Sequence, residues 1–127
     1  MEPLSMTHED YLEAIVMLGG AAGAPVRSVD VAEKMGVSKA SVSKAVSVLK
    51  KKGYVEQPYY GDITLTESGI EYGNKVFNRH KTLTKFLTKA VGLEPAQAEE
   101  EACQMEHAIS DESFVKWLAF IDSLELD

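Results

Sequence analysis

The sequence predicts a mainly α-helical protein with one short β-hairpin, divided into an N-terminal lobe (residues 1–65) and a C-terminal lobe (residues 66–127). Three observations support this fold class. Apolar residues recur at helical spacing through most of the chain. Glycine and proline separate the helical segments. Only two short pieces, "YVEQ" and "ITLT", have the composition of strands.

The first predicted helix begins at Thr7, which we expect to act as N-cap, with Asp10 three residues further on. The segment "GGAAGAP" (residues 19–25) ends this helix and predicts a flexible connection. Residues 26–27 then favour a short strand.

Two further helices follow, joined by a tight turn. Ser28 is predicted to cap "VDVAEKM", which Gly36 ends, and Ser38 is predicted to cap "KASVSKAVSVLKKK", which ends at Gly53. Two helices joined by a glycine-containing turn are the outline of a helix-turn-helix. The strand-like pieces around "PYYGD" add a hairpin, so the N-terminal lobe is predicted to be a winged helix-turn-helix.

The C-terminal lobe is predicted to contain three helices. Thr66 is expected to cap a long helix from Glu67 to about Ala90, Pro95 lies in the first turn of the next, and Ser110 opens the last. The apolar positions of this lobe exceed what a small lobe alone needs to bury, which favours a homodimer. These positions are Phe86, Leu87, Val91, Phe114, Trp117, Leu118, Phe120 and Ile121.

Charge is unevenly distributed, although the chain as a whole carries −7. Residues 27–60 contain seven Lys or Arg against three acids, whereas residues 94–127 contain ten acids against one Lys. A basic region beside an acidic one is typical of a protein with a nucleic-acid surface.

The basic helix that begins after Ser38 contains five lysines and no acid. Its early exposed face is predicted to offer short hydroxyls and amines that could enter the major groove of DNA. The residues of this face are Ser38, Lys39, Ala40, Ser41, Ser43 and Lys44. Alternatively, the three lysines that end this helix merely complement its dipole on a solvated face.

A second candidate site combines Cys103, Glu106 and His107, which share one helix face at i, i+3 and i+4. Asp10 and Glu13 offer two carboxylates at i, i+3, and a further imidazole comes from His80 at another point of the chain. Taken singly, each has an ordinary structural explanation, such as capping or packing. Together, mixed oxygen, nitrogen and sulfur ligands suit Fe²⁺, Mn²⁺, Co²⁺ or Zn²⁺ better than Ca²⁺ or Mg²⁺.

Other classes of protein are less compatible with the composition. No apolar run approaches the roughly 18 residues of a membrane span, and no leader segment is evident, so we expect a cytoplasmic protein with no membrane partner. A lone cysteine argues against a disulfide framework.

Five motifs resemble the family of metal-dependent repressors that includes the diphtheria toxin repressor and the manganese transport regulator. They are "MTHEDYLEAIVML", "VAEKMGVSKASVSKAVSVLKKKGYVEQ", "LTESG", "NRHKTLTKFL" and "EACQMEHAIS". The resemblance implies a DNA-binding domain over residues 1–65 and a metal-binding and dimerisation domain over residues 66–127, in a short form without the SH3-like domain of larger members. It also implies that Asp10 meets Cys103, Glu106 and His107, with Glu13 and His80 at a neighbouring metal position.

The function implied by the resemblance is repression of metal-homeostasis genes at a palindromic double-stranded operator, with Fe²⁺ or Mn²⁺ linking the N-terminal helix to the dimerisation lobe. The ligand set is a hybrid, because Cys103 is similar to the iron-responsive branch and Asp10 with Glu13 to the manganese branch. Thr84 stands where an ancillary site would need a ligand, whereas Glu99 could serve one.

Two alternatives remain on sequence grounds. One is a winged-helix regulator that senses no metal. The other is a small metalloenzyme that uses Glu106 or Glu13 as a base, although no nucleophile–base set and no glycine-rich phosphate loop is apparent. We therefore expect a regulator and not an enzyme.

Overall fold

A computed structural model describes residues 3–58 and 61–126, which form two compact units, one ending at Phe77 and the other beginning at Asn78. The regular elements are α1 (Met6–Met17), α2 (Ser28–Met35), α3 (Lys39–Lys51), β1 (Val55–Glu56), β2 (Thr64–Leu65), α4 (Glu67–Phe86), α5 (Pro95–Ala108) and α6 (Asp111–Ser123). A 3₁₀ turn at Gly20–Ala22 and a π turn at Leu87–Val91 complete them. The prediction of a mainly helical fold with one small hairpin is confirmed.

The N-terminal unit is built on helices that bury one face each. Leu12, Val31, Val42 and Leu49 are fully buried in its core, and they come from α1, α2 and α3. The predicted end of α2 at Gly36 and the predicted cap of α3 at Ser38 are confirmed. Gly36 adopts the left-handed conformation after α2 (φ 67°), and the Ser38 hydroxyl accepts a hydrogen bond from the Ser41 N–H at 3.1 Å.

The wing is a two-stranded antiparallel ribbon, in which Val55 faces Leu65 and Glu56 faces Thr64. Val26 forms an isolated bridge with Ile63, close to the short strand predicted at residues 26–27. The centre of the predicted "PYYGD" turn, residues 59–60, lies outside the described residues.

Two local predictions in the N-terminal unit were wrong. Ser5, not Thr7, caps α1, because Ser5 is extended (ψ 163°) and its hydroxyl accepts from the His8 N–H, whereas Thr7 already lies inside the helix. Ser28 is the first residue of α2, and Arg27 occupies the cap position. The connection at residues 19–25 contains the Gly20–Ala22 turn, in which Gly20 is buried.

The C-terminal unit contains the second half of α4, the π turn, α5 and α6. Leu83, Leu87, Ala98, Ala102 and Ile121 form its buried core. The predicted first-turn position of Pro95 is confirmed, as is the cap at Ser110, whose hydroxyl accepts from the Ser113 N–H at 3.1 Å.

Among the described residues, no helix combines the length and the apolar character needed to cross a membrane.

Candidate metal centre and nucleic-acid interface

One face of α5 brings three ligand types together. Cys103, Glu106 and His107 place a sulfur, a carboxylate oxygen and a ring nitrogen within 4.8 Å of one another. The i, i+3, i+4 spacing produces this cluster, because α5 is regular from Pro95 to Ala108. Cys103 is half-buried and forms no disulfide bond within the described part of the chain. This arrangement agrees with the one-face prediction for the three residues.

Glu106 is the buried centre of this cluster, with a side chain only 1% exposed. Its Oε2 lies 3.1 Å from His80 Nδ1, and its Oε1 lies 3.3 Å from His107 Nε2 but has no hydrogen-bond partner within the described part of the chain. A buried carboxylate oxygen without a hydrogen bond is costly unless a cation or donor compensates it. The donor set and this oxygen therefore fit a divalent metal ion.

His80 lies between two carboxylates. Its Nδ1 contacts Glu106, and its Nε2 lies 2.7 Å from Glu99 Oε1. The ring is buried at 6% exposure, whereas the Glu99 side chain is 59% exposed. Because both ring nitrogens are engaged, His80 can act as a metal ligand only by releasing one of these carboxylates. Glu99 is thus a direct partner of the candidate site, which sequence spacing alone did not indicate.

Asp10 and Glu13 belong to α1 in the N-terminal unit. Their i, i+3 spacing places them on one face of that helix, where Asp10 is half-buried and Glu13 is buried.

The neighbouring Glu9 accepts a 2.5 Å hydrogen bond from the Tyr72 hydroxyl, which itself accepts from the Leu4 N–H at 3.1 Å. Burial, with a further contribution from the hydrogen bond to Glu9, raises the pKa of Tyr72 well above its ordinary value.

The proposed DNA-facing residues of α3 are all exposed. They are Ser38, Lys39, Ala40, Ser41, Ser43 and Lys44. The opposite side of the helix is buried through Val42, Ala45, Val46 and Leu49. A helix anchored in this way presents its short polar side chains and two amines to solvent, as major-groove entry requires.

Helix α6 carries an apolar surface that its own unit does not cover. Val115 is 69% exposed and Phe120 is 57% exposed, and Leu118 and Leu124 are also exposed. Among the positions predicted to serve a dimer, Leu87 and Ile121 are buried in the core of the unit, and Phe86, Phe114 and Trp117 pack against that core. Val91, Leu118 and Phe120 stay exposed.

Sequence reasoning missed Arg79. Its side chain lies at the turn between α5 and α6 and donates hydrogen bonds to the backbone there. Its position in the sequence marks it only as a basic helical residue, so no local pattern could have identified it.

Comparison with known proteins adds independent findings. Residues 3–62 match the family model described as the N-terminal DNA binding domain of iron dependent repressors, and residues 66–127 match the metal binding and dimerisation domain of the same repressors. An uncharacterised HTH-type transcriptional regulator of Methanocaldococcus jannaschii is 37% identical, over 96% of this chain and 98% of its own length. The transcriptional regulator MntR of Lysinibacillus sphaericus is 33% identical, over 80% of this chain and 72% of its own length.

Among solved structures, a manganese-dependent transcriptional repressor in complex with manganese superposes with a TM-score of 0.75 at 31% identity. That alignment covers 91% of this chain and 51% of the repressor. This chain therefore spans about half the length of that structure.

Proposed function

Because this chain belongs to the family of iron-dependent, metal-responsive transcriptional repressors, we propose that it represses transcription in the cytoplasm by binding DNA when a divalent metal is bound. Family membership confirms the resemblance seen in the sequence motifs. It also supports a regulator over an enzyme, since the family consists of DNA-binding repressors. The observation that carries the proposal for this chain is the face of α5 with Cys103, Glu106 and His107, where one buried Glu106 oxygen has no hydrogen bond from any described residue.

We assign the metal to Cys103, Glu106 and His107 together with Asp10, and a neighbouring position to Glu13 and His80. A bound Fe²⁺ or Mn²⁺, or alternatively Co²⁺ or Zn²⁺, would supply positive charge among these carboxylates and join ligands from distant parts of the chain. Support for the three α5 ligands is their mutual distance. Support for Asp10 and Glu13 is their spacing on α1 and the family resemblance.

The mechanism we propose is linkage between two sites. Asp10 lies on α1, which packs in the core of the winged helix-turn-helix, so a metal shared with α5 would restrict the motion of the DNA-binding lobe. Restricted lobes lose less conformational entropy when both recognition helices dock on DNA. Metal binding and operator binding would then strengthen each other by the same factor.

The operator we expect is a palindromic double-stranded DNA site bound by a homodimer. Exposed Val115, Leu118 and Phe120 on α6 offer an apolar surface that a second copy could cover. A two-fold axis would present two copies of α3 to successive half-sites, with Lys39 and Lys44 on the exposed face.

An operator-binding titration tests the proposal against a winged-helix regulator that senses no metal. The probe is a double-stranded oligonucleotide selected from a random pool with the full chain and Mn²⁺, and fluorescence anisotropy is followed anaerobically with Mn²⁺, Fe²⁺, Co²⁺, Zn²⁺ or chelator. We expect at least one ion to tighten binding by about tenfold or more, within the usual range of coupling. Equal affinity in chelator and in every metal would refute metal dependence.

A further inference from the structure

Arg79 contacts several backbone carbonyl groups and one aromatic ring with a single guanidinium group. Its Nη1 donates to the Glu106 carbonyl at 3.3 Å, and its Nη2 donates to the Ile109 carbonyl at 2.9 Å and the Ser110 carbonyl at 3.0 Å. The guanidinium carbon lies 4.6 Å from the centre of the Phe114 ring. The Arg79 side chain is only 12% exposed, so water competes little for its hydrogen bonds to the Glu106 and Ile109 carbonyls.

These contacts lie where two helices meet. Helix α5 ends at Ala108, and its last carbonyl groups lack partners within the helix. A cation at that position satisfies them and complements the negative end of the helix dipole. The same guanidinium also contacts the start of α6 through Ser110, Phe114 and an ion pair with Asp111 at 3.5 Å. Arg79 therefore fixes the direction in which α6 leaves α5.

Glu106 is held from both ends by two adjacent residues of α4. Arg79 binds its backbone carbonyl, and His80 binds its carboxylate at 3.1 Å. A displacement of the Glu106 side chain thus acts on the same turn of α5 whose backbone Arg79 connects to α6. Helix α6 in turn carries the exposed apolar residues Val115 and Phe120.

We propose that Arg79 is a positioning residue that couples the metal ligands at the end of α5 to the apolar surface of α6, so that metal binding changes the strength of self-association. This inference rests on the proposed function. Arginine suits the role because its planar fork reaches three carbonyl oxygens while its face stacks on Phe114, whereas lysine offers a single point charge. The hydrogen bond to the Glu106 carbonyl connects Arg79 to the proposed metal ligands.

The test compares the dimer dissociation constant with and without saturating Mn²⁺. Fluorescently labelled copies of the chain are mixed and then diluted, and the dissociation of the dimer is followed. For the native chain we expect Mn²⁺ to lower this constant by about 5- to 150-fold. Arg79→Met should reduce the ratio to within about twofold of unity, and Arg79→Lys should retain at most half of the effect on a logarithmic scale. Lys89→Met is the matched control, because it removes an exposed cation of the same unit and should keep the native ratio.

A merely structural role predicts a different result. In that case Arg79→Met would lower the free energy of unfolding and weaken the dimer equally with and without Mn²⁺, so that the ratio stayed native, and this result would overturn the inference. If Arg79→Met does not fold, a native ratio in Arg79→Lys overturns it equally. A native chain that binds Mn²⁺ stoichiometrically without any change in dimer affinity overturns the coupling alone, whereas one that binds no Mn²⁺ overturns the proposed function as well.

Discussion

Substitution of Glu106 by glutamine should separate the stability of the metal-free protein from its response to metal. Glutamine has nearly the same shape, but it removes a negative charge from a side chain that is 1% exposed. Its amide oxygen can still accept from His80, and its NH₂ group can donate toward His107 Nε2, which lies 3.3 Å from the present Oε1. The isosteric amide thus places a hydrogen-bond donor where Oε1 has no hydrogen bond from the described residues.

The expected changes in the free energy of unfolding have opposite signs without and with metal. Replacing a buried, incompletely hydrogen-bonded carboxylate by a satisfied amide should raise the metal-free free energy of unfolding by about 1 kcal/mol. With free Mn²⁺ at about 100 times its dissociation constant, the native protein should gain about 2.7 kcal/mol from binding. Glu106→Gln should gain almost nothing, since it lacks the anionic group that we propose as the central ligand. The variant should therefore be the more stable protein without metal and the less stable one with metal.

Urea unfolding followed by circular dichroism, in chelator and in Mn²⁺, measures both quantities. Glu101→Gln is the matched control, because Glu101 is exposed on the opposite side of α5 and its loss should leave both values native. The reasoning is refuted if Glu106→Gln keeps the full Mn²⁺ stabilisation, or if it destabilises the metal-free protein by more than about 2 kcal/mol.

Further predictions follow from the same geometry. Lys44→Glu should weaken operator binding strongly and leave the Mn²⁺ affinity native. If each Lys44 contacts one phosphate, Lys44→Met should reduce the slope of log binding constant against log salt concentration by about 1.8 per dimer. A native slope would contradict this contact. Cys103→Ser should abolish the near-ultraviolet charge-transfer band of bound Co²⁺, and a native chain that binds Co²⁺ without such a band would exclude thiolate ligation. Phe120→Glu should shift the sedimentation of the chain toward monomer, because it places a charge on a surface residue that is 57% exposed, and an unchanged dimer would move the interface elsewhere. Tyr72→Phe should cost about 1.5–3 kcal/mol at neutral pH through the lost hydrogen bond to Glu9. Since folding raises the pKa of Tyr72, its contribution is present below about pH 10, the ordinary tyrosine pKa, and is lost as pH rises further, so the Phe variant should show a flatter decline in urea stability above pH 10.

Helix caps and the spacing of side chains on a helix face could be predicted, because both depend on residues close together in the sequence. Ser38 and Ser110 cap their helices because an extended residue with a short hydroxyl precedes each one, and this pattern is visible in the sequence. The same holds for the α5 ligand face, since helical geometry alone brings positions 103, 106 and 107 together.

Competition between equal local signals explains the error at the first helix. Ser5 and Thr7 are both competent caps two residues apart, so their own chemistry does not decide between them. The choice is made by a distant residue, because the Tyr72 hydroxyl holds the Leu4 N–H and so fixes the backbone before Ser5. No window of sequence around α1 contains that information.

The contacts of Arg79, and the pairing of Glu99 with His80, were beyond prediction for a related reason. Arg79 meets carbonyl groups 27 to 31 positions away, and backbone carbonyls carry no sequence signature at all. Glu99 is one acid in a run of three, and only the packing of α4 against α5 selects it as the partner of His80. Contacts of this kind depend on tertiary structure and not on residue spacing.

The proposed hybrid ligand set predicts that binding affinity and activation follow different orders among metal ions. A thiolate at Cys103 favours softer ions, whereas a carboxylate at Asp10 is compatible with Mn²⁺. Yet almost any site with these donors binds Zn²⁺ more tightly than Mn²⁺ or Fe²⁺, because affinity for first-row divalent ions follows a nearly ligand-independent order. Tight binding therefore does not identify the activating ion. The informative quantity is the gain in operator affinity per bound ion. An ion bound by Cys103, Glu106 and His107 but not by Asp10 would occupy the site on α5 and leave the DNA-binding lobe uncoupled. The proposed mechanism would thus discriminate among metals by coupling, even where the site does not discriminate by binding.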